Sequence, residues 1–297
     1  MSKQAVHQSK IRQVEFDKEL EMLVKEADIL KKEHPGCGVE KMYYTLQPTT
    51  IGRDRFCELF LSLGYGVKPV KNYRKTTKAG HINYPNLIAG MQVIRPFQVI
   101  QSDITYFDLK GEFYYLVFLI DVYTREIVGH QVSAHMRAEA NLKALELALK
   151  RMDFLPGGLI HHSDRGSQYG SDLYRNRLQE KNIHISMGLT ATENAFAERI
   201  NGIIKNEYLN QWKIKDEQDL IRKTKKAVDH YNQKRKHRAH KMKFAPMEFY
   251  QNWLDLKTQD RPKVIIYTEG KANLNGASSP YEIYPRTEPQ DHNCPMD

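Results

Sequence analysis

The sequence predicts an α/β protein, a mixed sheet flanked by helices and preceded by a small helical unit. Two observations carry that expectation. Between residues 97 and 133, three runs rich in Val, Ile, Tyr and Phe follow one another, and from there to residue 187 amphipathic helices alternate with short apolar runs. The first 70 residues show helical periodicity instead. A chain of 297 residues, 40% of them hydrophobic, exceeds one typical domain and has material enough for a core.

The elements follow in order. Residues 14–34 set Phe16, Leu20, Leu23, Val24, Ala27 and Leu30 at helical spacing, and Pro35-Gly36 ends that helix. "GVEKMYYTLQ" and "GRDRFCELFLSLGYGV" read as two shorter helices, the second stopped at Gly64 or Gly66. Three helices followed by the basic "VKPVKNYRKTTK" suggest a helix-turn-helix DNA-binding region over residues 1–70. Its candidate contacts are Arg53 and Arg55 at the start of the third helix, with Lys71, Arg74 and Lys75 just beyond. Residues 71–96 read as a basic linker, punctuated by Gly80, Pro85 and Pro96.

A core is expected over residues 97–254. "FQVIQSDITYF", "EFYYLVFLIDVY" and "EIVGHQVS" are the three successive strands, joined by turns such as Leu109-Lys110-Gly111. "RAEANLKALELALKRM" is a helix closed by Pro156-Gly157-Gly158, "LIHHS" a buried strand, "SDLYRNRLQEKN" a helix and "IHISM" a strand. A basic stretch, Arg222 to Lys243, holds ten Lys and Arg against the single acid Asp229. Residues 255–297 turn acidic and gain Gly, Ser and Pro, the composition of a flexible tail.

The formal charge of +9 points to an acidic polymer as partner, and no Asp or Glu occurs from Leu59 to Ser102. Cys37, Cys57 and Cys294 form no C-x-x-C pair, which supports neither a zinc site nor a disulfide framework and suits a reducing cytosol. No run approaches the roughly 20 apolar residues of a membrane span, and the first residues lack the apolar core of a signal peptide.

Three carboxylates stand out. Asp103 lies in the middle of the first strand, where an ionisable group is costly unless paired or bound to a cation. Gln101 and Thr105 share its face, which a solvated edge would also explain. Asp164 follows "LIHHS" at the carboxyl end of a buried strand, where open α/β sheets place ligands. The stretch "TATENAFAERINGIIKNEYL", Thr190 to Leu209, carries three more acids. At about 100° per residue, Asn194, Glu198, Asn201 and Lys205 share one helical face, while Phe196, Ile200 and Ile203 gather opposite. Thr190-x-x-Glu193 matches a capping box, and Glu207 falls on the apolar side with no use the sequence supplies. Acids from separate elements of a basic protein suit phosphoryl transfer on DNA, which uses two divalent cations about 3.5–4 Å apart. Lys205 could hold a phosphate as a point charge.

"QSDITYF", "LIHHSDRGSQYGS", "ENAFAERINGIIKNEYL" and "YNQKRKHRAH…FAPMEF" resemble, in that order, the blocks of OrfB-type insertion-sequence transposases of the IS-three family, which are similar to retroviral integrases. The resemblance covers about residues 85 to 250. It implies a ribonuclease H-like catalytic core with Asp103, Asp164 and Glu198 as an Asp-Asp-Glu triad, two Mg2+ ions that Mn2+ can replace, and recognition of terminal inverted repeats. It also implies cleavage of the donor strand and attack of a DNA 3′-hydroxyl on a phosphodiester of target DNA, with no covalent protein–DNA intermediate. His162, Arg165, Gln168, Asn194, Lys205, Arg235 and His237 fall on motif positions too; of these, Arg165, Asn194, Lys205, Arg235 and His237 are expected DNA contacts. The implied setting is a homo-multimer on DNA in the bacterial cytoplasm, at the nucleoid when DNA-bound, with no membrane and with the product of an upstream reading frame as a possible partner.

Arg165 to Ala197 leaves 33 residues between the second and third acids, two fewer than is usual, and the shortening falls before the helix. Glu193 replaces the family's customary Asp, a change a capping role tolerates. A regulator that kept the fold but lost catalysis, or a nuclease with the same core, are the alternatives; the intact triad argues against the first.

Overall fold

Helix α1 (Lys3–Glu33) buries Leu23, Ala27 and Leu30 against Met42, Phe56 and Phe60 of α2 (Val39–Leu46) and α3 (Arg53–Ser62). The computed structural model describes residues 3–67, 84–152 and 157–266. Helix α1 begins well before the residue-14 start that its apolar spacing predicts, since residues 10–15 are exposed and carry no inward face to signal a helix. It ends at Pro35-Gly36 as expected, with Lys31 and Lys32 at the negative end of its dipole.

The chain then adds β1 (Gln92–Val93), β2 (Val99–Leu109), β3 (Glu112–Asp121), β4 (Ile127–Ser133), α4 (Ala138–Arg151), β5 (Ile160–Ser163), α5 (Asp172–Glu180), β6 (His184–Met187), α6 (Ala195–Ile203), α7 (Glu217–Gln233), α8 (Pro246–Asp255) and β7 (Val264–Ile265). Five strands form one sheet in the order β4-β3-β2-β5-β6. The first three are antiparallel, and β5 and β6 run parallel to β2. Lys110 and Gly111 both take positive φ, 57° and 91°, the geometry that closes the tight β2–β3 hairpin.

Both faces of the sheet are covered, so β3 reads as a continuous apolar run rather than an alternating one. Leu116, Phe118 and Ile120 pack against Ile200, Ile203 and Tyr208 beyond one face, along with Leu220 and Val228 of α7. Val117 and Leu119 face Ala144, Leu145 and Ala148 of α4, with Tyr174 and Leu178 of α5 nearby. Each such large side chain stabilises the fold by roughly 1.5–3 kcal/mol relative to exposure.

The packed core is longer than residues 97–254. Strand β1, within the expected linker, pairs with β7, within the expected tail. Ile88, Val93, Val264 and Ile266 are buried with Val99, Tyr123 and Phe249. A two-residue strand is too short for periodicity to reveal it, which is why composition alone read both segments as loose. Lys71, Arg74 and Lys75, and the tail beyond residue 266, lie outside the described residues. Among the described residues no helix is long and apolar enough to cross a membrane.

Candidate active site

Sheet register brings the first two acids together. Ser102 of β2 pairs with Ser163 of β5 in parallel, so Asp103 and Asp164 are the next residues along two neighbouring strands. The Gly166 N–H donates to Asp164 Oδ1 at 3.0 Å. Beneath them, Ser102 Oγ and the Tyr169 hydroxyl share a hydrogen bond of 2.8 Å.

The third acid arrives on α6, which β2 grips at several points. Gln101 is completely buried, and its Oε1 accepts the Phe196 and Ala197 N–H groups at 3.1 and 3.3 Å, in the first turn of α6. Asn194 Nδ2 donates to the Ser102 carbonyl at 2.9 Å, and Asn201 Nδ2 to Asp103 Oδ2 at 2.7 Å. Lys205 Nζ donates to Thr105 Oγ1 at 3.2 Å and lies 4.7 Å from the centre of the Tyr106 ring. The face shared by Gln101, Asp103 and Thr105 is therefore roofed by the polar face of α6, and the reading of Gln101 as part of a solvated edge is corrected. Glu198 stands exposed on this helix between buried Asn194 and buried Asn201.

The charge of Asp164 bears on both of the other acids. Asp103 is pushed up to about 8, first by burial, then by Asp164 and Glu198, against the stabilising hydrogen bonds of Ile104 and Asn201. Partial desolvation of its carboxyl, although the residue is exposed, followed by Asp164, raises Glu198, and burial raises Asp164. Among the described residues, no group of three His, Cys, Asp or Glu side chains is already gathered closely enough to hold an ion. The donor set nonetheless fits a hard divalent cation: it is all carboxylate, its members repel one another, and added positive charge would relieve that repulsion. Unsatisfied oxygens lie alongside, since the Oδ1 atoms of Asn194 and Asn201 are buried without a hydrogen-bond partner.

Other expected site residues divide. Glu193 caps as predicted: its carboxylate accepts from the Thr190 N–H at 3.1 Å and from Leu189, and Asn86 donates to it at 2.9 Å. It caps the 3-10 turn Ala191–Asn194 that leads into α6. His162 is buried, hydrogen-bonded through Nδ1 to Ser186 Oγ at 2.8 Å, and held down at about 4 by burial. Buried Gln168 donates to the Met136 carbonyl at 3.4 Å. Arg165 is half-buried beside Asp164, with Nε unpartnered. Arg53 and Arg55 are exposed on α3; the first pairs with Asp54 at 2.8 Å and the second lies 5.4 Å from the Phe16 ring centre.

Three of the expected DNA contacts, Asn194, Arg235 and His237, have hydrogen-bond partners within the protein. Asn194 is 1% exposed and spends its amide on β2. Arg235 is 6% exposed, with Nε and Nη2 on Glu207 at 2.8 and 2.7 Å. His237 Nδ1 accepts the Ala239 N–H at 3.1 Å and caps a short turn. The "YNxxRxH" block is in fact a structural junction. Tyr231 donates its hydroxyl proton to the Arg125 carbonyl, and Asn232 both accepts from and donates to the backbone of Ile127 at 2.9 Å, extending the edge of β4.

Comparison with known proteins agrees with this architecture. Two integrase core domain models match, over residues 94–192 and 179–244, spanning the sheet and the Glu198 helix. The chain is 33% identical over 228 residues to the insertion element IS600 uncharacterized 31 kDa protein of Shigella sonnei, covering 74% of this chain and 83% of that one. It is 36% identical over 229 residues to the transposase for insertion sequence element IS629 of Shigella sonnei, covering 70% and 74% respectively. The HTLV-2 integrase catalytic core domain, solved in complex with magnesium, gives a TM-score of 0.37 at 21% identity over 46% of this chain and 86% of that one, a likeness too loose to carry weight. The sheet order and the integrase-core matches make the catalytic core ribonuclease H-like, and the two close relatives over most of their length decide the rest: the chain belongs to the insertion-sequence transposases of the retroviral integrase-like superfamily and is a DNA transposase.

Proposed function

We propose that Asp103, Asp164 and Glu198 are the catalytic, metal-holding acids with which this transposase cleaves the ends of its insertion sequence and joins their 3′-hydroxyls to target DNA. The register that sets Asp103 of β2 beside Asp164 at the end of β5, under the α6 helix that carries Glu198, supports this reading. Two Mg2+ ions held by these carboxylates, replaceable by Mn2+, would activate the attacking oxygen and stabilise the leaving one. Asn201 orients the Asp103 carboxylate and the Gly166 amide that of Asp164. Lys205, beside Thr105, and Arg165, next to Asp164 in the chain, are the side chains offered to a DNA phosphate. Exposed Arg53 and Arg55 on α3, with Lys71, Arg74 and Lys75 beyond, would track the terminal inverted repeats. The working form is a homo-multimer on DNA in the cytoplasm, at the nucleoid, and an upstream-frame product is a candidate partner.

Strand-transfer assays on labelled terminal-repeat DNA with magnesium test the assignment. Glu198→Gln should abolish joined products while leaving end binding intact, and Glu193→Gln should lower stability without abolishing joining. An active Glu198→Gln beside a folded, inactive Glu193→Gln would sink the triad.

A further inference from the structure

Glu207 has no part in the chemistry above, yet among the described residues it is the most heavily bonded acid. Arg235 grips it with two nitrogens at 2.8 and 2.7 Å, Lys41 Nζ reaches both its oxygens at 2.9 and 3.0 Å, and His34 Nε2 lies 2.7 Å away. Burial opposes its charge, but Arg235, His34 and Lys41 together hold the carboxyl well below the ordinary range. Its backbone carbonyl accepts the Gly36 N–H at 2.8 Å. The neighbouring Tyr208 ring stacks on His34 at 4.6 Å and 8°, and its hydroxyl shares a 3.0 Å hydrogen bond with His230 Nδ1. Three partners, His34, Gly36 and Lys41, come from the α1–α2 corner; Arg235 follows α7 in the core.

The backbone that carries Glu207 is unusual. After α6 the helix widens into a π turn over Ile204–Leu209, and the Asn210 N–H donates to the Lys205 carbonyl at 2.8 Å, five residues back. Such turns are rare, gain little from their own hydrogen bonds and gather at functional sites. Here Lys205 points to Thr105 and Tyr106 of β2 while Glu207 points to the α1–α2 corner. Rewinding to a regular α-helix would change the phase of Lys205 relative to Glu198, since π and α turns differ in residues per turn. A buried ion cluster is poor evidence for stability in itself, because apolar replacement often serves as well; its best-attested use is to specify one register.

We propose that Glu207 is a positioning residue for transposition: by anchoring the π turn from outside the sheet, it holds Lys205 on the carboxylate face, and it makes that setting depend on docking of the α1–α2 corner. The proposal rests on reading Lys205 as a DNA-phosphate contact.

The test uses the full-length protein carrying Glu207→Gln, with Lys41→Met as the milder variant should the first fail to fold. Two readouts are needed. The rate at which an amine-acylating reagent modifies Lys205, relative to exposed Lys225, is followed by peptide mass spectrometry without DNA. The single-turnover joining rate and end-DNA affinity are measured in both the Lys205 and Lys205→Ala backgrounds. Acylation of Lys205 should rise about threefold as it leaves its half-buried seat. Joining should slow about tenfold with affinity changed by less than about twofold, and that loss should vanish in the Lys205→Ala background. Unchanged acylation, or the same slowing in both backgrounds, would overturn the proposal in favour of a merely stabilising cluster. If Lys205→Ala joined at the wild-type rate, the DNA-contact reading would fail by itself, and acylation would still decide whether Glu207 positions Lys205.

Discussion

Gln101 is where a single residue decides whether Glu198 has a fixed place. A helix leaves its first N–H groups without partners, and the Gln101 side chain takes two of them at the start of α6 from within the sheet. Gln101→Met keeps the volume but strands those amides, and should cost about 1–3 kcal/mol in urea denaturation. Joining should fall further than that loss of folded protein explains, because Glu198 follows Ala197 directly. Period-2 spacing told which residues share a face with Asp103, but not that a helix covers it. The signal available was the residue type: a glutamine two positions from the acid, with an amide able to accept and donate at once.

At the scale of elements, close approach governs. A Cβ on Gly129 of β4 would come 2.1 Å from the Ala144 carbonyl, so α4 lies directly on the strand backbone. Gly129→Ala should shift α4 and cost about 1–3 kcal/mol, read as a lower denaturation midpoint; an unchanged midpoint would mean the two elements separate easily. A Cβ on Gly36 would come 2.4 Å from Glu207 Cα. Gly36→Ala should therefore loosen the α1–α2 corner from the core, seen as faster amide exchange in residues 34–46 while β3 stays protected. Strand and helix types were legible because each apolar run is long enough to show its period. β1 and β7 were not, and neither was the π turn, which a fixed 100° step cannot represent.

For the whole molecule, buried neutral histidines set the acid limit. Burial holds His34, His230 and His240 down at about 4 and His161 at about 3, against an ordinary 6.5. Each takes a proton in the unfolded chain before it does in the folded one. Their contribution is therefore complete above about pH 6.5 and is lost as pH falls towards 4, with a limiting slope of about 1.4 kcal/mol per pH unit for each. Glu207, depressed in the fold, adds its own loss below its ordinary 4.5. Urea unfolding should show a fall in stability between pH 7 and pH 5, reduced by Asp103, whose raised carboxyl acts with the opposite sign there; histidine ring NMR signals for these four that titrate near 6.5 would contradict the neutral buried state.

The amino-acid sequence by itself determined the element types, the covered sheet, the capping role of Glu193 and the helical face that Glu198 shares with Asn194, Asn201 and Lys205, because periodicity and capping are local properties. Tertiary structure alone decided that Asp103 and Asp164 are neighbours, that Asn194 and Arg235 turn inward, and that Glu207 joins two parts of the chain. Those outcomes depend on strand register and on partners as far apart as residues 34 and 207, and a contact at that separation leaves no period in either segment.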